Sequence, residues 1–87
     1  MKRLRNIVGP QVKKLREQSG LTQPMLVARL QLLGWEISRE TLAKIESQIR
    51  WVADCELVCL GKSLKVPIES LLPGKHDLSK LMKVFFR

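Results

Sequence analysis

Arg39, Glu40 and Lys44 are the side chains of this sequence best suited to reading another molecule by its polar edge. Arginine and lysine donate to the paired acceptors of guanine, and glutamate accepts from the amino group of cytosine, when a helix carries them into the major groove of duplex DNA. Their spacing brings them together. Over 38–48, Leu42, Ile45 and then Ile49 fall on one side of a 3.6-residue period, which turns Arg39, Glu40, Ala43, Lys44 and Ser47 to the other. Ser38 precedes them as an N-cap, so the charges stand on the first turns of a capped helix. The competing reading of the same face is an ordinary solvated helix surface.

Other chemistry is thinly provided for. There is no nucleophile–base pair and no glycine-rich phosphate loop, and His76 is the one histidine, so no enzyme is expected. Cys55 and Cys59 lie four apart in a helical pattern and read as small, buried or half-buried thiols of a reducing compartment. With His76 they form no recognisable metal-ligand spacing, and neither a metal nor a cofactor is implied.

The charge balance favours polyanions. Sixteen Lys and Arg against eight Asp and Glu leave a formal charge of +8, and Lys2, Arg3, Arg5, Lys13, Lys14 and Arg16 crowd the start of the chain. Such a field steers nucleic acid and each phosphate contact releases counterions; an anionic membrane is attracted by the same charge. No apolar run approaches the ~20 residues needed to span a bilayer, and Met1 to Arg5 leads into no apolar signal core. A cytoplasmic protein with no membrane partner is the expectation. Eighty-seven residues bury one small core, which tight helix packing or a partner subunit must supplement.

The elements that must position these residues follow from capping and periodicity. Pro10 opens a helix over 10–18 that Ser19 and Gly20 stop. Thr22 caps a second, with Pro24 in its first turn and Met25 or Leu26, Leu30 and Leu33 on its apolar face before Gly34. After a connector over 34–37 comes the helix capped by Ser38. A fourth spans 54–64 with Leu57, Leu60 and Leu64 on one face, and Pro67 opens a short fifth over 68–72. Pro73 and Gly74 break the pattern. Asp77 then caps a last helix whose Leu78, Leu81, Met82 and Phe85 recur at i, i+3, i+4 and i+7. No strand-like alternation is sustained, so the predicted class is all-α: five short helices and a C-terminal sixth. Trp35 and Trp51, flanking the third helix, read as cover for the core.

Leu21-Thr22-Gln23 opening one helix, Ser38 to Glu46 forming the next, and the ending Val66-Pro67-Ile68-Glu69-Ser70-Leu71-Leu72 together carry a family likeness. Over 9–72 the chain resembles the phage repressor and Cro class of helix-turn-helix domains, also called XRE-type. The resemblance implies a lambda-repressor-like bundle in which the helix at 38–48 enters the major groove while the one before it crosses the DNA backbone. It implies base contacts from Arg39, Glu40 and Lys44, and backbone contacts from Gln23 and Thr41. It also implies a structural ion pair between Arg16 and Glu46. Arg50, in the following loop, is a further candidate for a phosphate, or else a solvated charge, and the N-termini of the second and fourth helices suit phosphate as well. The chain departs from the family in two places. Residues 30–37 are longer than the usual connection, and Gln48 stands where the family often has glycine.

The resulting expectation is a basic arm at 1–8, a DNA-binding domain at 9–72 and a helical extension at 73–87. The function expected is that of a sequence-specific transcriptional regulator of bacterial or phage type, a repressor, acting as a homodimer on a two-fold duplex site. The arm either follows the DNA or is a basic terminus adding only long-range attraction. Leu78, Leu81, Met82 and Phe85 are the candidates for the dimer contact, or else cover their own core. An interaction protein of antitoxin type, binding a small protein partner through the last helix, is the rival reading.

Overall fold

Polar residues that cap, and leucines at helical spacing, set the elements of the chain. In the computed structural model, which describes residues 3–74 and 78–86, the order is α1 (Gly9–Gln18), α2 (Gln23–Leu32), α3 (Arg39–Glu46), α4 (Asp54–Leu64), a 3-10 turn (Ile68–Leu71) and α5 (Leu78–Phe86). Lys2, His76 and Asp77 lie outside the described residues, as does the side chain of Leu78. The fold is all-helical over the described residues. Thr22 Oγ1 accepts from the Met25 amide at 3.3 Å and Ser38 Oγ from the Thr41 amide at 3.2 Å, so α2 and α3 begin where their caps require. Val12, Leu26, Leu30, Leu42, Ile45, Leu60 and Leu71 are fully buried and form the centre of the core. Around it α3 packs on α1 and α2, while α4 packs on α2 and the 3-10 turn.

Four local features differ from the sequence-based expectation. The third helix ends at Glu46, because Gln48 turns into the left-handed region at φ 66° and the Ile49 amide folds back to Lys44 O at 3.0 Å. Ile49 is therefore thrown outward, 49% exposed, and does not join Leu42 and Ile45 in the core. The segment after Pro67 closes as a single 3-10 turn instead of an α-helix. On α2 it is Leu26 that fills the core, leaving Met25 and Leu33 half exposed. Trp35 is half-buried against the core, whereas Trp51 is 57% exposed and does not cover it.

The long connection between α2 and α3 is accommodated as a loop, not as extra helix. Gly34 supplies the positive φ (97°) that ends α2, the Trp35 amide bonds back to Leu30 O at 3.1 Å, and Ile37 drops into the core at 3% exposure. The connection thus carries its own apolar anchor.

The packed unit reaches back to Arg5, inside the segment expected to be an arm. Asn6 and Val8 are buried. Asn6 Nδ2 donates to Ile45 O (3.1 Å) and to Arg50 O (2.9 Å), and its Oδ1 accepts from the Gly9 amide at 2.8 Å. The Arg5 amide donates to Gln48 O at 2.8 Å, and Gln48 Nε2 returns a bond to Asn6 O at 3.1 Å. These bonds fasten the start of α1 to the end of α3. Gly9 lets the two backbones meet, since a Cβ there would collide with Ile45 O and stand 2.9 Å from Glu46 O.

Candidate nucleic-acid interface

The residues that could read a ligand stand on the outer face of α3. Leu42 and Ile45 are fully buried on the inner side, and the helical period leaves Arg39, Glu40, Lys44 and Ser47 exposed on the other. Arg39, Glu40 and Lys44 enter no ion pair or side-chain hydrogen bond within the described residues. Three formal charges are thus presented together on a short rigid element, with their hydrogen-bonding capacity unspent. Thr41 is half-buried, and its Oγ1 accepts from Ser38 Oγ at 3.1 Å, which places it in the cap of the helix.

Behind that face lies a buried polar lock. Arg16 Nε donates to Glu46 Oε2 at 2.7 Å and Arg16 Nη2 to Oε1 at 3.1 Å, with both residues 7% exposed. Arg16 Nη1 donates to Leu21 O at 2.8 Å, and Gln23 Nε2 donates to Glu46 Oε1 at 3.0 Å. Glu46 therefore ties the last turn of α3 to both α1 and the start of α2. The hydrogen bond to Glu46, against the opposing effect of burial, makes the Arg16 guanidinium still harder to deprotonate. No buried side-chain polar atom among the described residues lacks a partner, so this lock is complete.

The remaining expected contacts are distributed differently. Gln23 gives one of its two side-chain N–H groups to Glu46, which leaves the other and its main-chain N–H, at the open first turn of α2, able to donate outward. Arg50 is engaged: Nη1 and Nη2 bond to the two carboxylate oxygens of Glu56 at 2.8 and 3.0 Å, and Nη1 also reaches Trp51 O at 2.9 Å. Its guanidinium lies 5.9 Å from the centre of the Trp35 ring. The pairing with Glu56 raises the Arg50 pKa and holds the Glu56 carboxyl below its ordinary value, helped by the Ala53 amide. Arg50 thus fixes the loop between α3 and α4.

Of the terminal stripe, Leu81 and Phe85 turn inward and Met82 turns outward, 50% exposed. Phe85 meets Trp51 with ring centroids 6.5 Å apart and planes tilted by 50°. Phe86 is 75% exposed.

Asn6 and Glu56 are the contributors that sequence reasoning missed. Asn6 offered only its type, a short amide ahead of α1: the N-cap is Val8, which makes no side-chain cap, and Asn6 Oδ1 reaches the Gly9 amide from two residues further back. Glu56 had no signal, because its partner Arg50 is six residues away across a loop and matches no regular period.

No family model, no curated protein and no solved structure matches the chain. No helix among the described residues is long and apolar enough to cross a membrane.

Proposed function

We propose that the protein is a sequence-specific duplex-DNA-binding regulator that inserts α3 into the major groove. The observation that carries this reading is the exposed trio Arg39, Glu40 and Lys44, uncommitted within the chain and mounted on a helix locked from behind by Arg16, Glu46 and Gln23. An eight-residue helix is about 12 Å long, similar to the width of the major groove, so α3 presents all three side chains within one groove. Arg39 and Lys44 favour guanine; Glu40 favours cytosine and penalises bases that offer only acceptors.

The same reading makes α2 and α3 a helix-turn-helix of the phage repressor and Cro class, with the lengthened connection absorbed through Ile37 and Trp35. The first turn of α2 then faces a phosphate through main-chain N–H groups, and Thr41 flanks the backbone at the helix cap. Two such units in a homodimer would address half-sites about one helical turn apart. Repression follows as the regulatory outcome if the site overlaps a promoter.

The test contrasts two pairs of cations of equal charge. Arg39→Ala/Lys44→Ala and Lys62→Ala/Lys65→Ala each remove two positive charges, the second pair at the end of α4. With mixed-sequence duplex at moderate salt, the α3 pair is expected to cost clearly more affinity. Equal losses would mean attraction by net charge only, and would refute the assignment of α3.

A second reading, an interaction module of antitoxin type, is favoured by one observation. Met82 and Phe86 project from α5 largely uncovered.

A further inference from the structure

The inward face of α5 does not close on the body of the protein. Between them runs a groove of about 410 Å³ walled by Ile7, Trp51, Val52, Leu72, Leu81 and Phe85, with Met82 and Phe86 at its edge. On the other flank of α5 a second cleft, about 630 Å³, runs past Leu4, Pro10 and Pro73. Among the described residues, Arg5 is the one charged residue lining the first, Lys14 and Lys80 are the charged residues lining the second, and no acidic side chain lines either. Helix α5 itself adds Lys83 and has no acidic residue in its first turn or beyond. Met82 and Phe86 border the groove, whereas Lys83 is exposed on the side of the helix away from Leu81 and Phe85.

We infer that this surface receives an acidic segment of another protein, anchored by apolar side chains in the groove beside Trp51 and Phe86 and held by carboxylates against Arg5 in that groove and Lys80 in the adjoining cleft. The charge pattern selects this occupant. A second copy would press two faces carrying the same cations, Arg5 and Lys80, against each other with no acidic side chain among the described lining residues to pair with them, which opposes association. A membrane surface would suit the exposed Met and Phe, but a concave groove accepts discrete side chains and α5 has only nine residues. Duplex DNA offers only thymine methyl groups, recessed in its own major groove, and cannot fill a concave groove with aliphatic and aromatic walls. Arg5 lies 5.4 Å from the centre of the Trp51 ring, so a carboxylate drawn to Arg5 arrives beside that indole, which becomes a reporter of binding. The inference does not depend on α3 reading DNA.

The experiment is a selection from a random peptide library with the full chain immobilised in the absence of DNA. Enrichment of acidic peptides carrying aromatic or branched aliphatic anchors is expected. The best peptide should change the emission of Trp51 in a Trp35→Phe background. Phe86→Ala should weaken it about tenfold, as expected when an aromatic side chain at the groove's edge is removed. Lys80→Glu should weaken it and lessen its salt sensitivity, because rim charges act mainly through long-range attraction. Arg39→Ala/Lys44→Ala should leave it unchanged, which separates this surface from the one assigned to DNA. Enrichment of neutral or basic peptides, or none, would overturn the inference. So would a dimer in sedimentation that Phe86→Ala dissociates, or tighter binding to phosphatidylserine vesicles or single-stranded oligonucleotides than to the best peptide.

Discussion

Glu46→Ala is the substitution whose cost follows most directly from the structure. Glu46 is 7% exposed and accepts three hydrogen bonds, two from Arg16 and one from Gln23. Its removal leaves the Arg16 guanidinium buried with Leu21 O as its remaining partner, and breaking one side of such a pair costs roughly 3–5 kcal/mol. An 87-residue chain has about 4–13 kcal/mol of stability in all, at 0.05–0.15 kcal/mol per residue. For a domain of this size each kcal/mol moves the midpoint by about 4–8 °C, so a fall of at least about 12 °C is expected by circular dichroism. The decisive comparison is a double-mutant cycle in urea with Arg16→Met and Arg16→Met/Glu46→Ala. The double variant no longer strands a charge, so its loss should be smaller than the sum of the single losses by roughly 1–3 kcal/mol. Additive losses would refute the lock as an energetic unit.

Three further outcomes are expected. Gly9→Ala should destabilise the protein by at least about 1–3 kcal/mol, because its methyl group must displace the backbone at Ile45 and Glu46; an unchanged urea midpoint would contradict that close approach. Lys65, at φ 58° behind α4, pays for a left-handed conformation, so Lys65→Gly should raise stability by about 1 kcal/mol, and a loss would show that its side chain matters. The carboxyl of Glu56 is held below its ordinary pKa by Arg50, so the pair contributes stability above that ordinary value of 4.5 and loses it as pH falls through the lowered folded value. Glu56→Gln should therefore flatten the acid limb of the stability profile, and a parallel limb would exclude the pair as its source.

Much of the bundle was legible because it rests on local signals. Thr22, Ser38, Pro10 and Gly34 mark helix ends by chemistry that acts within a turn, and the buried leucines of α2, α3 and α4 repeat at helical spacing. Gln48 was singled out only by the resemblance, as standing where that family often has glycine, and the chain turns left-handed there. What escaped notice depends on long-range geometry. The bonds from Asn6 to Ile45 and Arg50 span about forty residues, so a basic start reads as an arm when its Asn6 and Val8 are core. Ile49 continues the apolar period of α3, but the period stops applying once Gln48 breaks the helix. The charge run that drew attention to the N-terminus likewise conceals Arg5, which is engaged with Trp51. On the candidate interface, residue type and period together were enough to find Arg39, Glu40 and Lys44, whereas the commitment of Arg50 to Glu56 required the folded loop.

The most direct test of the account is selection of binding sites from random duplex DNA at moderate salt, repeated with Arg39→Ala and with Lys44→Ala. The account predicts an enriched motif, with guanine contacts relaxed at different positions by each substitution at a cost of about 1–3 kcal/mol per contact. Salt-sensitive binding with no enriched motif, or a motif that neither substitution alters, would contradict it.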